Sequence, residues 1–453
     1  MLKSSLLACL CATLPFVQQT DVQQTDAQQT AAQTAPAPSL LNTYKQIHAH
    51  PELSHYESNT SALLATDLRR SGYTVTDHIG IYPDGTHAFG VIGILKNGPG
   101  PTLLIRGDMD ALPIVEETGL PYASHVTTKN KAGQEVGVME ACGHDIHTTV
   151  LMGTARALAA DKSHWHGTLM ILGQPSEETI DGAKAMLADH LYDRFGVPDM
   201  IIGLHDTNVH AAGTVGISIG NAMASSTSID VTIRGIGGHG AYPNLGRDPI
   251  LLSALFITQL QTIVSREEDP RSPSVVTVGS IHGGTKRNII PDEVKLELTT
   301  RAFTEKSRQV ILDAIHNMAA GLATSYNLPP AKSPTVTVID TESAPATYND
   351  PALSARVKAA LVTAIGAPNV TEDLPVMGSE DVGVFALPQF NGGHKIPLVY
   401  YWLGAMNKEK FAAAQAAGTE LPGYHTSHFE PDPIPTLETG VKTMTAAALA
   451  LLQ

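Results

Sequence analysis

Four short apolar runs do most to limit how this chain can fold, because each leads into side chains that a closed core does not accept. TLLI (102–105) runs into RGDMD, GTLMIL (167–172) into GQPSEE, and MIIGL (200–204) into His205 and Asp206. A fourth, PLVYYWLG (397–404), leads through an Ala-rich stretch to YHTSHF. Unbroken apolar runs of about four to eight residues suit strands buried on both faces, as in a parallel sheet. Helical periodicity fills the intervals, in HTTVLMGTARALAAD, DGAKAMLADHLYDRF and residues 437–452. Alternating strand and helix predicts an α/β layered fold. Such open sheets bind ligands beyond the carboxyl ends of their strands. Asp108, Asp110, Glu177, Glu178, His205 and His425 all follow these runs.

From residue 225 to about 341 the order changes. TSIDVTIRG alternates like a half-buried strand, and a helix follows in DPILLSALFITQLQTIV. Two strands come next, SVVTVGSIHG and EVKLELTTRAF, then a helix in EKSRQVILDAIHNMAAGLA and a last strand, TVTVID. This β-α-β-β-α-β order predicts a compact, ferredoxin-like insert. At 453 residues the chain is too long for one ordinary core. The expected organisation is a mainly parallel-sheet catalytic domain in two pieces, 39–224 and 343–453, interrupted by the insert at 225–342.

Lys3 followed by LLACLCATLPFV reads as a signal peptide, and the Gln-Gln-Thr repeats after it as a disordered linker. Residues 1–38 are expected to be these two segments, and the protein to be exported, periplasmic or secreted. The apolar run is too short to span a bilayer, and no other stretch matches it, so no membrane span is expected. A net charge of -15 argues against nucleic acid as the main partner.

Loss of the signal leaves Cys142 as the only one of three cysteines. It lies in MEACGHDIHTTV, one residue from His144. Thiolate, imidazole and carboxylate are the side-chain ligands of zinc and related ions. Cys142 and His144 from one turn, Glu178 and His205 from strand ends, and His425 from the last loop form a candidate ligand set. The helix starting near Asp145 is expected to favour the thiolate. Of the neighbours Glu177 and Glu178, one is expected to bind metal and the other to move protons, because a bound ion lowers the pKa of its water to about 7. In the insert, His239 sits in a Gly-rich loop, and Asn288 and Arg301 flank a strand. Arg301 suits capture of a carboxylate, although ordinary surface is an equal reading of all three.

The stretches HAHPELSHYE, RGDMDALPIVEETGLPYAS, ACGHDIHTTVLMG, GQPSEETIDGAKAM, GLH, GGHGAYP, NIIPDEVKLELTTR, MGSEDVGVFA and HTSHF occur in this order. Together they resemble the aminoacylase and glutamate-carboxypeptidase family of metallohydrolases, most closely its amidohydrolase branch of hippurate, N-acyl-amino-acid and auxin-conjugate hydrolases. The resemblance implies Cys142, His144, Glu178, His205 and His425 as metal ligands and Glu177 as general base. It implies Asp110 as a support of the metal centre, and Asn288 and Arg301 as holders of the substrate carboxylate. His239 matches a residue that reaches the substrate carbonyl, in many members from a partner subunit. The implied cofactor is one or two divalent ions, zinc or manganese, with cobalt or nickel as alternatives. The implied assembly is a homodimer through the insert, which also acts as a lid. The chain departs from the branch at Glu140, Asp206 and Ser427, where His, an aromatic or aliphatic residue, and Pro are usual, and Asp108 stands where dinuclear relatives carry a metal-binding His. The expected activity is cleavage of N-acyl amino acids. The alternatives are a carboxypeptidase or dipeptidase acting on peptides, and a periplasmic metal- or ligand-binding protein without activity.

Overall fold

The computed structural model describes residues 39–453, which form one compact unit. The expected signal peptide and linker lie outside the described residues.

An eight-stranded sheet organises the larger part of the fold. Its order is Thr74–Ile81, His87–Asn97, Gly167–Gln174, Thr102–Asp108, Met200–Ala211, Leu398–Met406, Val215–Ile217 and Val370–Glu372. The four central strands are parallel, with Ile105 between Ile171 and Ile202. The unbroken apolarity of these strands has a direct cause, since successive side chains enter opposite layers. Leu103, Ile105, Leu169 and Ile171 pack under the helices His144–Ala160, Pro351–Ile365 and Pro433–Leu451. Leu104, Met170 and Leu172 pack against Gly182–Ala188 and Gly383–Ala386 on the other face. Among the described residues no helix is long and apolar enough to cross a membrane.

Two local readings differ from expectation. DGAKAMLADHLYDRF is two short helices, because His190 adopts a left-handed backbone (φ 57) between them. The strand beginning at Met200 does not end at Leu204 but runs to Ala211, so His205 and Asp206 project from within it. The antiparallel hairpin Thr74–Ile81/His87–Asn97 at the sheet edge had no distinct sequence signal.

A second sheet is fully antiparallel, in the order Ser274–Gly283, Glu293–Ala302, Ser225–Arg234 and Thr335–Ala344. Helices Pro249–Thr262 and Glu305–Ser325 cover one face through Ile229, Val231, Leu296, Leu298 and Phe256. Alternation sends Ser226, Ser228, Thr299 and Arg301 to the other face, where Ser226 pairs with Arg301 and Ser228 with Thr299. A short ribbon, Gly238–His239 with Ile289–Ile290, is added at one end.

Candidate metal centre

The strand ends and the turn before helix His144–Ala160 bring five potential ligands together. Gly143 caps this helix in the left-handed region (φ 78). Its Cα lies so close to the Asp206 carboxylate that a Cβ there would fall 2.3 Å from Oδ2, so the turn requires glycine. Cys142 and His144 therefore flank a sharp reversal. Cys142 Sγ lies 3.5 Å from His205 Nε2, and the donor atoms of Cys142, His144 and His205 all fall within 4.8 Å of one another. The same holds for Cys142, Glu178 and His425. His425 Nε2 is 3.3 Å from Glu178 Oε1. The loop presents His425 through a left-handed residue (φ 58), tied by its N–H to the Ala141 carbonyl at 2.9 Å. His428 instead sits at the exposed surface beside Ser427 and Glu117, outside these groups.

Backbone carbonyls set the imidazole orientations. His144 Nδ1 donates to the Asp110 carbonyl at 2.7 Å, and His205 Nδ1 donates to the Asp206 carbonyl at 2.7 Å. Each Nε2 is thereby aimed at the cluster, the usual arrangement for metal-ligating histidines. His144 Nε2 is fully buried without a hydrogen-bond partner, 3.9 Å from both Glu177 Oε2 and Glu178 Oε1. A buried nitrogen left unpaired among carboxylates and a thiol fits a divalent cation, and the Cys/His/Glu donor set suits zinc and its neighbours.

One carboxylate fixes the paired acids. Asp110 accepts the Glu177 N–H on Oδ1 at 3.0 Å, and the Glu178 N–H on Oδ2 at 2.9 Å. Ser54 adds a third bond to Oδ2 at 2.7 Å. Asp110 thus locks the backbone that aims both glutamates.

The electrostatics are those of a pocket overfilled with negative groups. Burial, then Glu380 and Glu178, push the Glu177 carboxyl well above its ordinary range. Asp108 and then Cys142 raise the His144 imidazole against the opposing effect of burial. The Cys142 thiol is also raised, by burial first and Glu178 second. Burial and the neighbouring carboxylates thus oppose the thiolate that coordination requires, and a cation at the cluster would act in the other direction.

Several buried polar residues stand behind the ligands, and of these Arg106 escaped the sequence reading. Arg106, at the end of an apolar run, is 2 % exposed and bonds Asp108, Glu380, Asp381 and Gln174. The carboxylate of Asp108 is committed to Arg106 and to His147 Nδ1 at 2.5 Å. Asp206 is fully buried between His147 and His205, its Oδ1 3.3 Å from a nitrogen of each. Glu140, a further departure from the branch pattern, is buried just before the helix and accepts the Asp145 N–H. For Arg106 the only sequence signal was a polar residue closing an apolar segment, whereas Asp108, Asp206 and Glu140 stood out as departures from the branch pattern.

Arg301 and the cluster share a cavity of about 850 Å3, whose lining includes Cys142, Glu177, His205 and His425. His239 and Asn288 are not brought to it. They are exposed neighbours on the small ribbon, where the Gly240 N–H donates to the Asn288 carbonyl, and they line neither this cavity nor the adjoining one.

Comparisons with known proteins agree with this construction. Residues 104–449 match the model of peptidase family M20/M25/M40. The chain is 35% identical over 342 residues to a hippurate hydrolase of Campylobacter jejuni, covering 75% of this chain and 83% of the relative. It is 36% identical over 366 residues to an IAA-amino acid hydrolase of Arabidopsis thaliana, covering 80% and 77%. A Bacillus subtilis structure described as a dinuclear metal-binding peptidase of the M20 family superimposes with a TM-score of 0.71 at 28% identity, over 93% of this chain and 99% of that one. The chain belongs to peptidase family M20/M25/M40 and is a metal-dependent amidohydrolase or peptidase.

Proposed function

We propose that the protein cleaves the amide bond of N-acyl amino acids, with Cys142, His144, Glu178, His205 and His425 holding one or two divalent ions and Glu177 acting as general base. Zinc or manganese suits this donor set. The observation that carries the reading is Arg301. Its guanidinium is about half-buried, has no acidic partner among the described residues, and lines the same cavity as the cluster. A free cation held at that place matches a substrate carboxylate, which it would bind through two parallel hydrogen bonds.

A divalent ion bound by these groups supplies Lewis acidity toward the scissile carbonyl and acidifies a water. Glu177 then accepts the proton of the attacking water and returns it to the leaving amine. Asp110 keeps Glu177 and Glu178 in their separate directions.

His239 and Asn288 are assigned to substrate binding across a homodimer. Strand Ser274–Gly283 is an uncovered sheet edge, and Ile250, Leu251, Ile281 and Ile289 are exposed nearby. An open edge beside exposed apolar side chains supports pairing with a second copy. In that arrangement His239 of the partner subunit meets the oxyanion, and the insert acts as a lid. The segment before residue 39 is assigned to export.

Arg301→Ala tests the reading. It should erase the preference for a free-acid substrate over its methyl ester, measured as the ratio of kcat/KM values. An unchanged ratio would remove the carboxylate clamp from the account. A peptide with a free C-terminal carboxylate presents the same groups, so dipeptides belong in the same assay.

A further inference from the structure

A second cavity, of about 710 Å3, lies on the other side of Arg301. Glu178, Ile180 and Arg301 line both cavities and form the partition between them. The two spaces differ in chemistry. The first contains Met223, Leu374, Val376 and Trp402, an apolar wall that suits an acyl group. The second has the hydroxyl face of the small sheet, Ser226, Ser228 and Thr299, on one side. The lining also includes His55, Tyr82, Asp84, Lys131 and Asp181 from the larger part of the fold, and Glu342 from strand Thr335–Ala344 of the small sheet.

The charges in the second cavity do not balance. Glu178 is set aside as a cluster residue and Arg301 as the carboxylate receptor. Three carboxylates then remain, Asp84, Asp181 and Glu342, against one ammonium, Lys131. Lys131 Nζ is turned to His55 Nε2 at 2.9 Å, and His55 lies 3.1 Å from Asp181. The Glu342 carboxylate has no cationic partner among the described residues, and both Asp84 and Glu342 are exposed to the cavity solvent.

We infer that this cavity receives the side chain of the released amino acid and selects a cationic one, of the lysine or arginine type. The inference rests on the amide-hydrolase reading and gives its substrate class. With the carboxylate on Arg301 and the acyl group in the apolar cavity, the remaining substituent of the amino acid enters the polar one. A side chain ending in an ammonium or guanidinium reaches Glu342 and Asp84 and restores neutrality, while an acidic side chain adds to the excess.

The test compares substrates sharing one acyl group and carrying lysine, norleucine or glutamate. On the full-length protein, kcat/KM for the lysine compound should exceed that for norleucine by about tenfold, the scale of a partly screened charge contact. The ratio should fall severalfold in Asp84→Asn/Glu342→Gln and with added salt. Calorimetric binding of free lysine, norleucine and glutamate to the same two proteins repeats the comparison without catalysis. Equal values for lysine and norleucine, a preference for glutamate, or a lysine ratio untouched by the double substitution would overturn the inference. Cleavage of all three compounds without charge preference refutes this assignment alone. A lysine preference in binding with no cleavage of any compound refutes the hydrolase reading instead.

Discussion

Glu177→Gln should keep its metal and lose about 10²–10⁴ in kcat, whereas Glu178→Gln should lose the metal itself. The two residues are chemically identical neighbours whose N–H groups are held by one Asp110 carboxylate, so their difference is purely one of direction. Glu178 shares close donor groups with both Cys142 and His425 and with His144. Glu177 shares a close donor group with His144 and Glu178, and after burial Glu380 does most to raise its carboxyl. Amidation of Glu177 removes the proton acceptor while preserving size. Metal content by elemental analysis and single-turnover rates separate the two roles. Metal loss in Glu177→Gln with retention in Glu178→Gln would reverse the assignment.

Arg106→Met should destabilise the fold by about 3–5 kcal/mol, the usual cost of removing one partner from a buried ionic network. The Arg106 guanidinium bonds Glu380 at 2.6 Å and Asp381 at 3.1 Å, donates to Asp108, and donates to Gln174 at 2.8 Å. Tyr400 supplies a further bond to Glu380 at 3.0 Å, and Asp108 also meets His147, but Glu380 and Asp381 have no ion-pair partner other than Arg106 among the described residues. Methionine fills much of the volume and leaves the acids to be neutralised by protons. Arg106→Lys should recover only part of the loss, because an ammonium cannot reproduce the planar fork. Urea denaturation of the metal-free proteins measures this, and a loss below about 1 kcal/mol would show that the carboxylates find other partners.

Legibility in the sequence followed distance along the chain. Cys142 and His144 are two residues apart and stand out in a chain with one cysteine beyond its first dozen residues. Glu178 and His205 were legible because parallel strands bury their runs and release polar residues at one sheet edge. Arg106 and Glu380 were not, since 274 positions separate two residues that meet only when the sheet closes. Asp206 was recorded as a departure from a family pattern, yet its burial between His147 and His205 depends on the strand continuing past Leu204. His190 broke an expected helix through a left-handed backbone that a non-glycine residue seldom announces. The helix terminus beside Cys142 is a local feature, whereas the desolvation and the charge of Glu178 that act on its thiol are set by the whole pocket.

The most direct test of the account is a metal titration of chelator-stripped protein with manganese or zinc, in which bound metal and amine release from an N-acyl amino acid are measured in the same samples. The account predicts that amine release rises in step with the bound ion, and that Cys142→Ser loses both together. Full activity in the stripped protein, or a Cys142→Ser protein that binds metal and releases amine as the parent does, would contradict it.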